Sequence, residues 1–208
     1  MSVTIILIVI TVIISFLAFS NEKMLNELLL WPSKMHSPAQ YYRLLTSGFV
    51  HADQMHLAFN MITLYFFGDI LENPNYGIGG DKLLLLYLTG IIIAGIPSFI
   101  KHRNHTGYRS LGASGGVAAV VFAMIYIFPW QNIYLFFSLP IPCILYAILY
   151  LAYTAYMARR GDGRVNHDAH FWGSVYGLLF MLVIIDPSHG AYFWDQLRNP
   201  PTFFRSGR

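Results

Sequence analysis

Apolar runs of about 20 residues, the length a helix needs to cross a bilayer core of about 30 Å, recur along this chain between short polar breaks. They occupy residues 3–19, 56–72, 81–100, 114–128, 133–157 and 170–186. In lipid an open chain satisfies its backbone N–H and C=O groups only as helix. The expected fold is therefore all-α, a polytopic membrane protein with six transmembrane helices. A β-barrel is disfavoured, because runs such as LLLLYLTGIIIAGIPSFI show no period-two alternation.

Composition agrees. Of 208 residues, 56% are hydrophobic and 11% charged, less than half the roughly 25% charged content of soluble domains. One domain over 1–208 is the natural reading at this length. The net charge is +3, and the 13 Lys and Arg are scattered through connections. With no basic stripe among them, they argue for contact with membrane lipid and against nucleic acid. Cys143 is the one cysteine, so no disulfide forms within the chain, and inside an apolar run it reads as a small hydrophobe. Val3–Phe19 is longer than a signal h-region of about 7–15 residues and has no Lys or Arg before it, so a retained first span is expected.

Two segments stand out. The connection 20–55 is long and partly amphipathic, with Leu25, Leu28, Leu29 and Trp31 among Asn26, Glu27 and Lys34. Lying in the membrane interface or forming an ordinary polar loop are equally compatible with that pattern. The fourth run, Ser114 to Phe128, is only 15 residues, about 22 Å of helix. With Pro129-Trp130 at one interface, its Ser114 end stops beneath the other. Unpaired N–H groups at that depth must face protein or a water-filled cavity, which marks this end as functional.

Polar groups inside apolar spans are costly and suggest a site by default. Three constellations qualify. His56 and Asn60 lie four residues apart on one helix face. Gly112-Ala113-Ser114-Gly115-Gly116 puts a serine at a helix start among glycines. His170, Gly173 and Gly177 share one face of the last run, and small residues allow close helix approach. Gly115, Ala118 and Ala119 offer a matching surface on the serine helix. Two such faces could bring Ser114 Oγ within reach of the His170 imidazole, the minimum for an activated nucleophile. Backbone N–H groups at the helix start, with His56 and Asn60, could stabilise an oxyanion. Each element has a plainer reading, a serine bonded to its own helix or a glycine face that only packs. Their coincidence favours a site.

Taken together, these residues resemble the rhomboid family of intramembrane serine proteases. H-x-x-x-N (His56, Asn60) lies in the second span, G-x-S-G opens the fourth, and A-H-x-x-G-x-x-x-G lies in the sixth. His51 and Tyr42-Arg43 extend the match, which covers roughly residues 40–185. The resemblance implies a six-transmembrane-helix bundle of rhomboid type with a catalytic dyad, Ser114 and His170. His56, Asn60 and the amides of Ala113 and Ser114 would stabilise the tetrahedral intermediate, and Gly112, Gly115, Gly173 and Gly177 would pack the site. The implied substrates are transmembrane segments of membrane proteins, cut near the membrane boundary, with no metal or other cofactor. The implied location is a multi-pass position in a membrane, the cytoplasmic one in a bacterium. One departure is Ala118, where the family often has an aromatic residue packed on the histidine; Phe171 or Trp172 is expected to orient His170 instead. The nine Lys and Arg of odd-numbered connections, against four elsewhere, would put the odd loops in the cytoplasm. The family topology puts the termini there, and it is followed here.

Three rivals remain. A catalytically inactive scaffold of the same family would bind membrane proteins without cutting them. A small transporter would need polar groups through both membrane halves, whereas here they gather at one end, apart from Asp69 and Glu72. A zinc protease could use His102/His105 or His167/His170, but H-E-x-x-H is absent.

Overall fold

The computed structural model describes residues 2–135, 138–160, 165–188 and 190–200; Arg164, Arg205 and Arg208 of the charge count lie outside them. The chain is mostly helical. α1 (Val3–Phe19) leads through α2 (Glu22–Leu28) and α3 (Arg43–Thr46) to α4 (Gln54–Glu72), α5 (Gly80–His102) and α6 (Ser114–Ile127). A hairpin of β1 (Asn132–Leu135) and β2 (Leu139–Pro142) follows, then α7 (Cys143–Arg160), α8 (His167–Phe180) and α9 (Ala191–Arg198). Met181–Ile185 prolongs α8 as a π-helix.

α6 is the axis of the molecule. Every residue from Gly115 to Tyr126 is buried, as a helix apolar on all sides requires. α4, α5 and α8 pack against it, α8 most extensively. The outer helices do the reverse and turn Ile13, Phe59, Phe66, Ile100, Ile148 and Val183 outward. So broad an apolar exterior is foreign to a monomeric soluble protein and suits lipid. Two helices, Gly80–His102 and His167–Ile185, are long and apolar enough to cross a bilayer by length and composition alone. Val3–Phe19 and Ser114–Ile127 are shorter apolar helices.

Three expectations need correction. The run 133–157 is not helical from its start: Ile133 pairs with Ile141 in the hairpin, and the helix begins at Cys143. Pro140 and Pro142 lack the N–H that a helix would need there. α8 begins three residues before His170, because the Asn166 side chain accepts from Ala169 N at 3.0 Å and caps it. The connection 20–55 is not an ordinary polar loop but is tied into the bundle. Leu29 and Leu30 are buried, Leu30 exchanges two 2.9 Å backbone bonds with Ser110, and Arg43 Nη1 donates to Asn26 O and Leu29 O.

At the opposite end of the bundle Glu72 closes α4 onto α1. Its carboxylate accepts from Val3 N at 2.6 Å, Thr4 N at 2.9 Å and Ser2 Oγ at 2.7 Å. An anion at a helix N-terminus satisfies orphan N–H groups and meets the positive end of the dipole.

Candidate active site

The site is assembled where α6 and α8 begin. Gly112 has φ +113° and its N–H donates to Ser47 O at 2.9 Å. A Cβ on Gly112 would lie 2.6 Å from His56 Cε1 and 2.8 Å from His56 Nε2. Glycine is needed twice over, for the left-handed turn and for the ring resting on it. Ala113 then starts α6 with no side-chain cap, and the first backbone bond of the helix runs from Val117 N to Ala113 O. The amides of Ser114, Gly115 and Gly116 therefore have no acceptor within the helix. Free N–H groups at a helix start favour an anion.

α8 delivers His170 to the same place through glycine. A Cβ on Gly173 would sit 2.2 Å from Gly115 O, and one on Gly177 would sit 2.3 Å from Ala119 O. Nothing larger than hydrogen fits between these backbones. Gly115 also faces Ala169 O, at 3.7 Å from its own notional Cβ. The first turns of α6 and α8 thus lie side by side, with Ser114 and His170 each one residue from that contact. Among the described residues no hydrogen bond joins Ser114 Oγ to the His170 ring. The ring bonds instead through Nδ1 to Tyr150 Oη of α7, at 3.1 Å.

His56 and Asn60 approach from α4, whose first turn is capped by Asp53 Oδ1 accepting from His56 N at 2.7 Å. Asn60 is buried and donates one amide hydrogen to His56 O at 3.0 Å; an amide carries a second. His51 lies edge-on to His56 with centroids 5.0 Å apart.

The bonding of His51 fixes its tautomer. Ser15 Oγ donates its single proton to Phe49 O at 2.9 Å, so its 2.9 Å contact with His51 Nδ1 needs a proton on Nδ1. Nε2 then accepts from Ala113 N at 3.2 Å. The ring is fully buried and must stay neutral. Burial is the largest cause holding its pKa down at about 3; His56 lowers it further, and Asp53 opposes. Ala113 N–H, expected as an oxyanion donor, is engaged by His51 in this state and serves to hold the turn.

Asn166 ties the site to its surroundings. Its Oδ1 accepts from Ser98 Oγ at 3.1 Å, and its Nδ2 donates to Ser110 Oγ at 2.8 Å. Beside it Ser47, Ser110 and Gly112 line a cavity of about 20 Å³, space for about one water. Among the described residues no cluster of three or more His, Cys, Asp or Glu is placed to hold a metal ion. His102, weighed above only within the rival zinc reading, stacks on Tyr108 at 3.7 Å.

Sequence reasoning missed two residues of this neighbourhood, Ser15 and Tyr150. Phe171 and Trp172, expected to orient His170, contact each other edge-on at 5.4 Å. The ring parallel to His170 belongs to Tyr150, with centroids 6.3 Å apart and planes 13° apart. Spacing gives no hint of it; the available signal was a tyrosine within an apolar run.

Known proteins are similar to this chain in sequence. A family model, the rhomboid domain, matches residues 38–187. RHOMBOID-like protein 12, mitochondrial, of Arabidopsis thaliana is 28% identical over 78% of this chain and 52% of its own length. Rhomboid protease GluP of Bacillus subtilis is 36% identical over 42% of this chain and 16% of its own length. Rhomboid protease GlpG of Haemophilus influenzae is 26% identical over 54% of this chain and 52% of its own. The chain thus spans about half the length of the plant relative. The matched segment contains His56, Asn60, the turn before α6 and the glycine face of α8, and with it this chain belongs to the rhomboid family.

Proposed function

We propose that this protein is an intramembrane serine endopeptidase. It would cut transmembrane segments of other membrane proteins near the membrane boundary, within one six-span domain over 1–208. The observation that carries this reading is the seating of Gly173 and Gly177 on the backbone of α6. It presses α8 onto the start of α6, which supports a histidine-bearing turn beside a serine at a helix start without a side-chain cap. The short length and full enclosure of α6 support a polar pocket sunk below the membrane surface.

In this mechanism Ser114 Oγ attacks the scissile carbonyl while His170 Nε2 takes its proton. The oxyanion is met by the Ser114 amide and by donors from His56 and Asn60. His170 returns the proton to the leaving amine, and water then hydrolyses the acyl-enzyme with His170 again as base. The lack of a Ser114–His170 hydrogen bond in this state favours a second reading, an inactive binding scaffold. Catalytic hydrogen bonds are often long before substrate binds, so the protease reading is kept.

Purified protein and a generic transmembrane substrate separate the two. Wild type should cleave and should react with a fluorophosphonate, and Ser114→Ala should do neither while folding normally. Exhaustive chelation should leave cleavage intact. Undiminished cleavage by Ser114→Ala would falsify the proposal; no cleavage by wild type would favour the scaffold.

A further inference from the structure

We infer that Tyr150 is the positioning residue for His170, supplying from α7 the hydrogen-bond partner that fixes which imidazole nitrogen faces Ser114. This rests on the protease reading for its catalytic consequence, but the geometry stands by itself. A histidine that takes a proton through Nε2 must carry its own proton on Nδ1. Nδ1 lies 3.1 Å from Tyr150 Oη, and the hydroxyl oxygen can accept from Nδ1–H. No other side chain is bonded to that nitrogen among the described residues. When His170 becomes an imidazolium, the same oxygen stabilises the Nδ1–H of the cation.

The tyrosine is itself held. Its ring is near-parallel to Tyr146 at 5.4 Å and tilted against Phe122 of α6 at 5.8 Å. Aromatic contacts of this kind restrict the ring's orientation, and they aim Oη at α8. Residue 118, one helical turn beyond Ser114, is alanine and buried, so the ring parallel to His170 comes from the neighbouring helix.

The ionisable groups around His170 are few. His167 on its own helix has its centroid 6.1 Å away, Tyr150 faces it from α7, and His56 acts on it from α4. From α5 comes Lys101, which is paired with Asp168 at 3.0 Å; α6 has no charged side chain. All of these except the Tyr150 hydroxyl persist in Tyr150→Phe, so a change in the titration of His170 reports that hydroxyl.

The test compares wild type, Tyr150→Phe and Tyr146→Phe. We expect kcat to fall about 10-fold to 100-fold in Tyr150→Phe, the size of one lost hydrogen bond to a charged group, with KM nearly unchanged. The acidic limb of kcat/KM should move to lower pH, since an imidazolium without its acceptor forms less readily. Nitrogen NMR of His170 should show the same shift of titration in protein carrying Ser114→Ala. That measurement does not need activity, so it separates failure of this inference from failure of the protease reading. Tyr146→Phe should change neither quantity. Tyr150→Phe with wild-type kcat and unmoved His170 titration would overturn the assignment. Loss of folded protein in Tyr150→Phe while Tyr146→Phe folds would overturn it too, by making the contact structural.

Discussion

Gly177 of α8 lies so close to Ala119 of α6 that a single added carbon would come within 2.3 Å of the Ala119 carbonyl oxygen. The obstacle is backbone, which cannot swing aside as a side chain can. Gly177→Ala should therefore force the helices apart, at about 1–3 kcal/mol of overpacking. A displacement of about 1 Å at the reacting groups can cost 100-fold in rate. We expect severe loss of Ser114-dependent cleavage and a lower melting temperature. Val183, 66% exposed on the same helix, should accept alanine with neither effect. A Gly177→Ala protein with wild-type turnover and melting temperature would refute the contact.

Asn60→Ala should reduce turnover by about 10-fold to 1,000-fold, the range for one lost oxyanion donor. Substrate affinity should change far less, because the interaction strengthens only as charge develops. A mutant in which KM rises and kcat is retained would move Asn60 to substrate recognition.

The His51 ring makes stability depend on pH. In the fold its pKa is depressed to about 3 by burial, against an ordinary value of 6.5. Between those values the unfolded chain binds the extra proton, so stability rises with pH. The contribution is fully present above pH 6.5 and is lost as pH falls towards about 3. Protonation would also turn Nε2 into a donor facing the Ala113 N–H, releasing the turn before Ser114. Melting temperature measured from pH 7 down to pH 4 should decline in wild type and decline less steeply in His51→Gln. Equal slopes would contradict the depressed pKa of the buried His51 ring.

Glu72→Ala should strip three acceptor contacts from the start of α1. Hydrogen bonds to charged groups are worth about 1.5–3 kcal/mol each, so the melting temperature should drop by about 5 °C or more. Glu72→Gln, which keeps one acceptor oxygen, should lose less. An unchanged melting temperature in Glu72→Ala would show that the clamp contributes nothing.

What sequence makes legible here follows from how each feature is encoded. α1 was read at its observed limits because its boundaries are written locally, in an apolar run ending at Ser20. The glycine face of α8 was legible because i, i+3 and i+7 spacing is a property of one helix. The start of α7 was misread because hydropathy counts Ile133 and Ile141 as apolar whether they lie in helix or hairpin; Pro140 and Pro142 held the better signal. Leu182 shows a further limit: an α-helical period continued past Phe180 would turn it to lipid, whereas it is packed partly into the core beside Gly190. The π-turn from Met181 alters the angle per residue. Ser15 and Tyr150 stayed invisible because a residue 36 positions from His51, or 20 from His170, meets its partner only through the packing of whole helices.

The enclosure of α6 has a consequence for how this protein meets different lipids. A helix shorter than the hydrocarbon is ordinarily accommodated by thinning the bilayer or by tilt, at a cost for each ångström of mismatch. α6 has no buried-to-lipid face from Gly115 to Tyr126, so acyl chains have nothing on it to pull. Thickness changes act on the outward residues of the surrounding helices, such as Ile13, Ile100 and Val183. The seat of Ser114 within the bundle is thereby set by protein contacts, with no part of α6 from Gly115 to Tyr126 left for lipid to grip.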